Sequence, residues 1–336
     1  MQPLVSIIIP TYNRAHLIGE TLDSILAQTY THWECIVVDD GSTDDTETLL
    51  QTYIDKDSRF QYHKRPGVMP KGGNSCRNFG FEVSKGMYII FLDSDDLLIP
   101  NALQNRITHI GNENIDMLIS LSGVFKLKIG DTDKQWNTID ENISATHSLI
   151  RFLKADMPWQ TTGVTWSRDF FIKSGGAWHP TLKAWQDWEL HCRALIYQPN
   201  LKAIVEVDNY YRYFTDDGIA NAYKSKDYLK AMASAIITIS HLLTRDKKYY
   251  QNMKVHLEVL IFSMLIKRPV SLKYFTLPYR FMTKIPFKSA GLSRLKFIKI
   301  YIIEILSRST KIRKYVLGNY YKKQQRFLTL QTTHLK

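Results

Sequence analysis

Tyr88-Ile89-Ile90-Phe91-Leu92-Asp93-Ser94-Asp95-Asp96 passes from an apolar run straight into three carboxylates with only a serine among them. An apolar run this short, rich in isoleucine and aromatic residues and preceded by Gly86, reads as a buried strand. A parallel strand covered on both faces is apolar throughout, so the change of polarity marks where the chain leaves the sheet. In open α/β sheets, ligands bind in the crevice outside those carboxyl ends. Asp93 and Asp95 flank a single residue, so a bend there lets their carboxylates converge. Like charges so close are costly unless a cation neutralises them, and hard oxygen ligands suit Mg2+ or Mn2+. Such a cation keeps water ligands and bridges to phosphate oxygens. A solvated acidic loop, or a helix start ahead of Pro100, is the competing reading of the same residues.

Upstream, the pattern repeats twice. Leu4–Ile9 is a strand by composition, ended by Pro10 and followed by the polar turn Thr11-Tyr12-Asn13-Arg14. Apolar residues at 17, 18, 22, 25 and 26 then fit one helix face. Trp33–Val38 is a second strand running into Asp39-Asp40-Gly41-Ser42-Thr43-Asp44, where Ser42 or Thr43 is placed to cap a helix toward Ile54. Phe60–His63 reads as a short strand, and Gly72-Gly73-Asn74-Ser75 opens a helix through Val83. This alternation predicts a parallel sheet with right-handed crossovers. All three polar loops then open on one edge of it. Lys71-Gly72-Gly73-Asn74-Ser75 lacks the G-K-[ST] order of a Walker A loop and reads as a helix-opening turn whose N–H groups can approach a phosphate.

Beyond Asn101 the pattern is mixed. Strands are expected at Met117–Leu121 and Val124–Ile129 around Gly123, at Thr161–Trp166 and at Ala203–Tyr213. Helices are expected at Ser148–Leu153 and Leu182–Tyr197, then near 227–244, 250–267, 293–308 and 311–328.

The chain has 336 residues, enough for about two domains. Three scattered cysteines (Cys35, Cys76, Cys192) form no CxxC and favour a reducing compartment without a zinc site. The apolar run Leu4–Ile9 is short and has no basic region before it, so no signal peptide is expected, and no apolar run reaches the ~18 residues of a bilayer span. The net charge of +12 hides a division. Residues 219–336 hold 24 Lys and Arg against 4 Asp and Glu, whereas residues 1–218 are net acidic. The expected organisation is an α/β domain over 1–218 and a basic helical region over 219–336. Segments such as Leu292–Leu306 mix apolar and basic residues as interfacial helices do, which suits an anionic membrane surface. A soluble helical cap and non-specific RNA contact are the rival readings, and no RNA-binding signature accompanies the charge.

Several stretches together resemble the family-2 glycosyltransferases of GT-A fold. They are Val5-Ser6-Ile7-Ile8-Ile9-Pro10-Thr11-Tyr12-Asn13, Gln28-Thr29-Tyr30, Glu34–Asp44, Arg77-Asn78-x-Gly80 and Phe91–Asp96, with Gln186-Asp187-Trp188-Glu189 further on. The resemblance reaches to about residue 215. It implies a Rossmann-like mixed sheet flanked by helices and a nucleotide sugar as donor, with UDP favoured and guanine or thymine nucleotides left open. It places Thr11, Tyr12 and Asn13 in the nucleotide pocket, Asp40 on the base and Arg77 near the diphosphate. Asp93 is expected at the ribose, with Ser94 beside it, Asp95 on Mn2+ or Mg2+, and Asp187 as catalytic base. Gln186 stands where the family usually has Glu.

Trp178, Trp185 and Trp188 offer an acceptor platform or core, with core expected for two of them. The implied reaction is inverting transfer to a lipid-linked or surface-polysaccharide hydroxyl, in the cytoplasm at the membrane face, with no specific nucleic acid as partner. The alternatives are a nucleotide-sugar-binding protein without catalysis and a basic nucleic-acid-binding protein on an α/β scaffold.

Overall fold

Val5–Thr11, Trp33–Asp39 and Tyr88–Phe91 are buried almost end to end, as continuous apolar runs require, and form strands β1, β2 and β4. The computed structural model describes residues 2–213, 225–245 and 247–265. The other strands are β3 (Phe60–Lys64), β5 (Leu97–Leu98), β6 (Met117–Phe125), β7 (Val164–Ser167) and β8 (Leu201–Arg212). All eight belong to one sheet in the order β3-β2-β1-β4-β7-β6-β8-β5. β1 pairs in parallel with β2 and β4, and β2 with β3. β7 is antiparallel to β4 and β6, β5 is antiparallel to β8, and β6 and β8 run parallel, so the sheet is mixed as expected.

Register delivers the loops. Thr11 lies opposite Asp39, and Leu92 N–H donates to Ile8 O at 3.0 Å as β4 ends. The chain therefore leaves β1, β2 and β4 on the same side, at Tyr12, Asp40 and Asp93. The crossovers are α1 (Ile18–Leu26), α2 (Thr46–Lys56) and α3 (Gly73–Val83). Ile7, Ile9, Leu22, Ile25, Val37 and Ile90 form one core cluster with no side-chain exposure above 1 %. Each such burial contributes about 1.5–3 kcal/mol. Gly86 is required where β4 approaches β1, because a Cβ there would collide with Ser6 Oγ and with Ser6 N.

Four local expectations change. Helix α2 starts at Thr46 rather than after Ser42 or Thr43. Asp39 Oδ1 accepts from Ser42 N–H and Oγ–H, which folds those residues into a turn instead of a cap. Gly123 does not divide two strands: β6 runs through it, because its missing side chain leaves room for the Tyr210 ring, whose Cε1 lies 2.5 Å from where a Cβ would sit. Thr161–Gly163 is a 3-10 turn ahead of β7 rather than strand, and the helix expected from Leu182 begins at Gln186 as α7 (Gln186–Ile196). The remaining helices are α4 (Ala102–Ile110), α5 (Ala145–Leu153), α6 (Arg168–Lys173), α8 (Lys226–Leu243) and α9 (Lys247–Leu265).

Packing separates two units. The first holds Met1–Phe152 and Asp156–Ala231; the second begins at Met232 and takes in Leu153–Ala155. The expected boundary at 218 lies outside the described residues, as do the helical segments expected at 293–308 and 311–328. Among the described residues, no helix is long and apolar enough to cross a membrane. All three cysteines are buried and free.

In the first unit a buried polar network ties β6, β8 and the 3-10 turn to α4. Arg106, 1 % exposed, donates to both Asp208 oxygens at 2.7 Å, to Ser120 Oγ at 2.9 Å and to Thr162 O at 3.1 Å. Removing one partner of such a pair strands a buried charge. Arg106→Leu is expected to lower the urea-unfolding free energy by about 3–5 kcal/mol, and Arg106→Leu/Asp208→Leu to recover part of it. A loss below about 1 kcal/mol in the single variant would show that the pair is not needed.

Candidate active site

The three loops enclose a cleft of about 300 Å3. Thr11, Tyr12 and Arg14 line it from the first loop, Asp40 from the second, and Asp93, Ser94 and Asp95 from the third. Gly73 and Arg77 close it from the start of α3. Seven residues singled out in the sequence thus meet in one place: Thr11, Tyr12, Asp40, Arg77, Asp93, Ser94 and Asp95.

Asn13 does not line the cleft. In a left-handed conformation (φ 51°), it donates its N–H to Ser42 Oγ at 2.8 Å and accepts from Thr43 N–H at 2.8 Å. It laces the first loop to the second, a task for which asparagine tolerates the backbone. Asp39 is the centre of the second loop, accepting from Gly41, Ser42 and Tyr62. Asp40 points into the cleft; Arg65 Nε holds its Oδ1 at 2.5 Å, and Oδ2 accepts nothing from a described residue.

Arg77 is 7 % exposed, and an NH2 group donates to Asp93 Oδ1 at 2.5 Å. Its guanidinium lies 4.5 Å over the Trp178 ring, a favourable contact for a desolvated cation. Asp187, the second residue of α7, lies near enough for Arg77 and Asp93 both to act on it. Burial pushes the Asp187 carboxyl up to about 6, against the pull of Arg77, while Thr161 hydrogen-bonds its charged form. Burial and then the Asp93 charge likewise push Asp95 up to about 6, opposed by Arg14 at 3.9 Å.

Asp96 plays a different part. Fully buried, it receives the Thr162 hydroxyl at 2.8 Å and Arg212 N–H at 3.1 Å. Arg212 Nε in turn donates to Asp95 O at 3.0 Å. Burial, with Asp93 and Asp95 adding to it, holds the Asp96 carboxyl well above the ordinary range. Asp96 therefore clasps the acidic loop to β8 from beneath.

Asn74 and Asn78, which the sequence shows only within longer motifs, do as much for α7. Asn74 Nδ2 donates to His179 O and Leu182 O at 2.8 Å each, and Asn78 exchanges hydrogen bonds with Trp178 backbone atoms. They peg the segment leading into α7 against α3. Trp185, immediately before that helix, is left-handed (φ 63°), half-buried, and donates Nε1–H to Tyr228 OH at 2.8 Å. Trp178 and Trp188 are core.

The donor set fits a hard divalent cation. Among the described residues no three His, Cys, Asp or Glu side chains gather as a closed metal cage. Asp95 with Asp93 nearby is the open arrangement Mg2+ or Mn2+ uses when waters and substrate phosphates supply the other ligands. Burial disfavours the charge on Asp95, and a cation beside it would favour that charge.

The family model described as "Glycosyl transferase family 2" matches residues 6–174. An uncharacterized glycosyltransferase of Rickettsia typhi is 44 % identical over 118 residues, 35 % of each chain. The Escherichia coli UDP-Glc:alpha-D-GlcNAc-diphosphoundecaprenol beta-1,3-glucosyltransferase WfgD is 36 % identical over 115 residues, 34 % of this chain and 44 % of that one. The alignments thus span less than half of either relative. The crystal structure of Staphylococcus aureus TarS 1-349 in complex with UDP-GlcNAc superposes with a TM-score of 0.70 at 18 % identity, covering 95 % of this chain and 92 % of that one. The fold is therefore the one of that GT-A transferase.

The raised Asp95 carboxyl has a consequence for stability. Its folded value of about 6 exceeds the 3.8 of a free side chain, so between those values the folded state holds the extra proton. Stability is lost as pH rises through that window, and Asn at this position escapes the loss. In EDTA, Asp95→Asn is expected to match wild type near pH 4 and exceed it by roughly 1–3 kcal/mol at pH 7.5 in urea unfolding. An Asn variant no more stable at pH 7.5 would contradict the desolvated charge.

Proposed function

The chain belongs to glycosyl transferase family 2, and from that premise we propose that it is an inverting glycosyltransferase. It moves a sugar from a UDP-sugar to a hydroxyl of a lipid-linked or surface-polysaccharide acceptor. The observation that carries this reading is the pairing of a cleft lined by Thr11, Tyr12, Asp40, Arg77, Asp93 and Asp95 with a separate carboxyl, Asp187, on which Arg77 acts and which burial raises to about 6. Two similar proteins support the substrates: WfgD is named for UDP-Glc and a diphosphoundecaprenol-linked sugar, and TarS 1-349 is solved in complex with UDP-GlcNAc.

Each residue then has a task. Thr11 and Tyr12 flank the base, and Asp40, with Oδ1 fixed by Arg65, keeps Oδ2 to accept from uracil N3–H. Asp93 and Ser94 meet the ribose, while Arg77 keeps Asp93 in position and faces the diphosphate. Mn2+ or Mg2+ held by Asp95 would supply Lewis-acid stabilisation of the departing diphosphate. Asp187 takes the proton of the acceptor hydroxyl as its oxygen bonds to the sugar C1. The C1–O bond to the diphosphate breaks in the same displacement, UDP leaves with the electron pair, and the anomeric centre inverts. Cys76 and His191 stay outside this chemistry, both buried in the core.

A general base must be deprotonated, so kcat is expected to rise with pH through about 6 and to level off above it. In a UDP-release assay with saturating donor and metal, Asp187→Asn should lower kcat by about 10^2–10^4 and abolish that limb. UDP affinity should stay within about twofold, since Asp187 lies outside the nucleotide cleft. Wild-type turnover by the variant would remove Asp187 as base.

The basic stretch 219–336 is proposed to hold the enzyme at the cytoplasmic membrane face, where its charge meets anionic head groups. Full-length protein is expected to float with anionic liposomes and to stay down with neutral ones. Equal recovery from both would refute the attachment.

A further inference from the structure

Strand β8 ends beside both halves of the site. Leu97 of β5 pairs with Tyr210 of β8, so the residues one step on, Asp96 and Tyr211, are neighbours across the two strands. Arg212 shows the same proximity: its N–H donates to Asp96 Oδ1 at 3.1 Å and its Nε to Asp95 O at 3.0 Å. On its other edge Tyr211 pairs with Val124 of β6. The backbone that carries Tyr211 is therefore held against the acidic loop.

Its side chain shares a face of β8 with Asn209, two residues earlier. Asn209 Oδ1 accepts from Gln160 Nε2 at 3.0 Å, and the residue after Gln160, Thr161, hydrogen-bonds Asp187. This face thus runs past the support of the base to Tyr211 at the carboxyl end of the strand. The Tyr211 ring packs edge-to-face on Trp136, with centroids 5.2 Å apart, which fixes its direction. The residue is half-buried, yet its hydroxyl is open to solvent and makes no hydrogen bond with a described residue. Burial, with the charges of Asp96, Asp93, Asp95 and Asp187 adding to it, pushes the phenol up to about 12. It keeps its proton at neutral pH and remains a donor. Tyr211 is within reach of the acidic loop and the base at once.

We propose that the Tyr211 hydroxyl donates a hydrogen bond to a hydroxyl of the transferred sugar and so helps to select the donor. This deepens the glycosyltransferase reading and rests on it. In a direct displacement the acceptor oxygen, C1 and the departing diphosphate lie in line. That reading gives the diphosphate to a cation on Asp95 and the acceptor oxygen to Asp187, so the sugar ring occupies the interval between them. Tyr211 stands beside that interval with a donor that lacks a partner. A site that hydrogen-bonds a substrate hydroxyl rejects analogues without it, because its own polar group is then left unpaired.

Tyr211→Phe removes the hydroxyl and keeps the ring against Trp136. The full chain and this variant, both in Mn2+, are titrated calorimetrically with UDP, UDP-Glc and UDP-GlcNAc. For the sugar nucleotide that wild type binds more tightly, the variant is expected to lose about fivefold in affinity, the size of one neutral hydrogen bond. UDP affinity should stay within about twofold, since UDP carries no sugar to meet Tyr211. Analogues of that donor, each lacking one sugar hydroxyl, separate a direct contact from a general disturbance. The analogue without the hydroxyl that Tyr211 meets should bind both proteins alike, while the others keep the gap. Equal affinity of the two proteins for both sugar nucleotides overturns the proposal. So does an equal loss for UDP and every analogue, which is the mark of a structural role. Wild type that binds UDP and neither sugar nucleotide overturns it as well, whereas failure to bind UDP itself would refute the UDP-sugar reading and the proposal with it.

Discussion

One buried cation holds the site together. Arg77 sits on α3, bonds Asp93 at the end of β4, rests on Trp178 and acts on Asp187 at the start of α7. Without a positive charge at that point, Asp93, Asp95 and Asp187 would repel one another in a desolvated space. The geometry around it is correspondingly well braced. Asn74 and Asn78, one turn apart on the same helix, pin the segment that leads into α7. A single helix therefore sets the distance between the acidic loop and the base.

The acidic loop itself shows how environment divides identical side chains. Asp93 is paired with Arg77, Asp95 is desolvated with Arg14 at 3.9 Å and Arg212 acting on it, and Asp96 is sunk beneath them against Thr162 and Arg212. Three carboxylates within four residues thus stand as a positioned partner, the proposed cation ligand and a structural clasp. The clasp continues downward through Thr162 O to Arg106 and Asp208, so the buried network of β6 and β8 supports the rim of the cleft. Stability and function are joined here through backbone atoms of one 3-10 turn.

Much of this was legible in the chain because β1, β2 and β4 are covered almost end to end. Continuous apolar runs at Val5, Trp33 and Tyr88 leave no choice of face, and their ends announce three loops by polarity alone. Other features were not legible, for identifiable reasons. Ser42 has the chemistry of a helix cap, but Asp39 competes for it and wins through three hydrogen bonds from Gly41 and Ser42. Asn13 and Asp40 look alike as polar loop residues, yet one faces the neighbouring loop and the other the cleft. Gly123 resembles a strand break until the Tyr210 ring is seen to need its space. Arg14, Arg65 and the two asparagines act across separations of 25 to 108 residues, or through space without a motif, and no local pattern reports such contacts.

A divalent cation on Asp95, at the ligand-facing rim of the sheet, is proposed to join the protein to a sugar nucleotide's diphosphate. Isothermal titration calorimetry of UDP against wild type in Mn2+, wild type in EDTA, and Asp95→Ala in Mn2+ tests it directly. Affinity is expected to fall about tenfold or more in the second and third titrations alike, as loss of a charged contact to phosphate requires. Equal affinity in all three would contradict it.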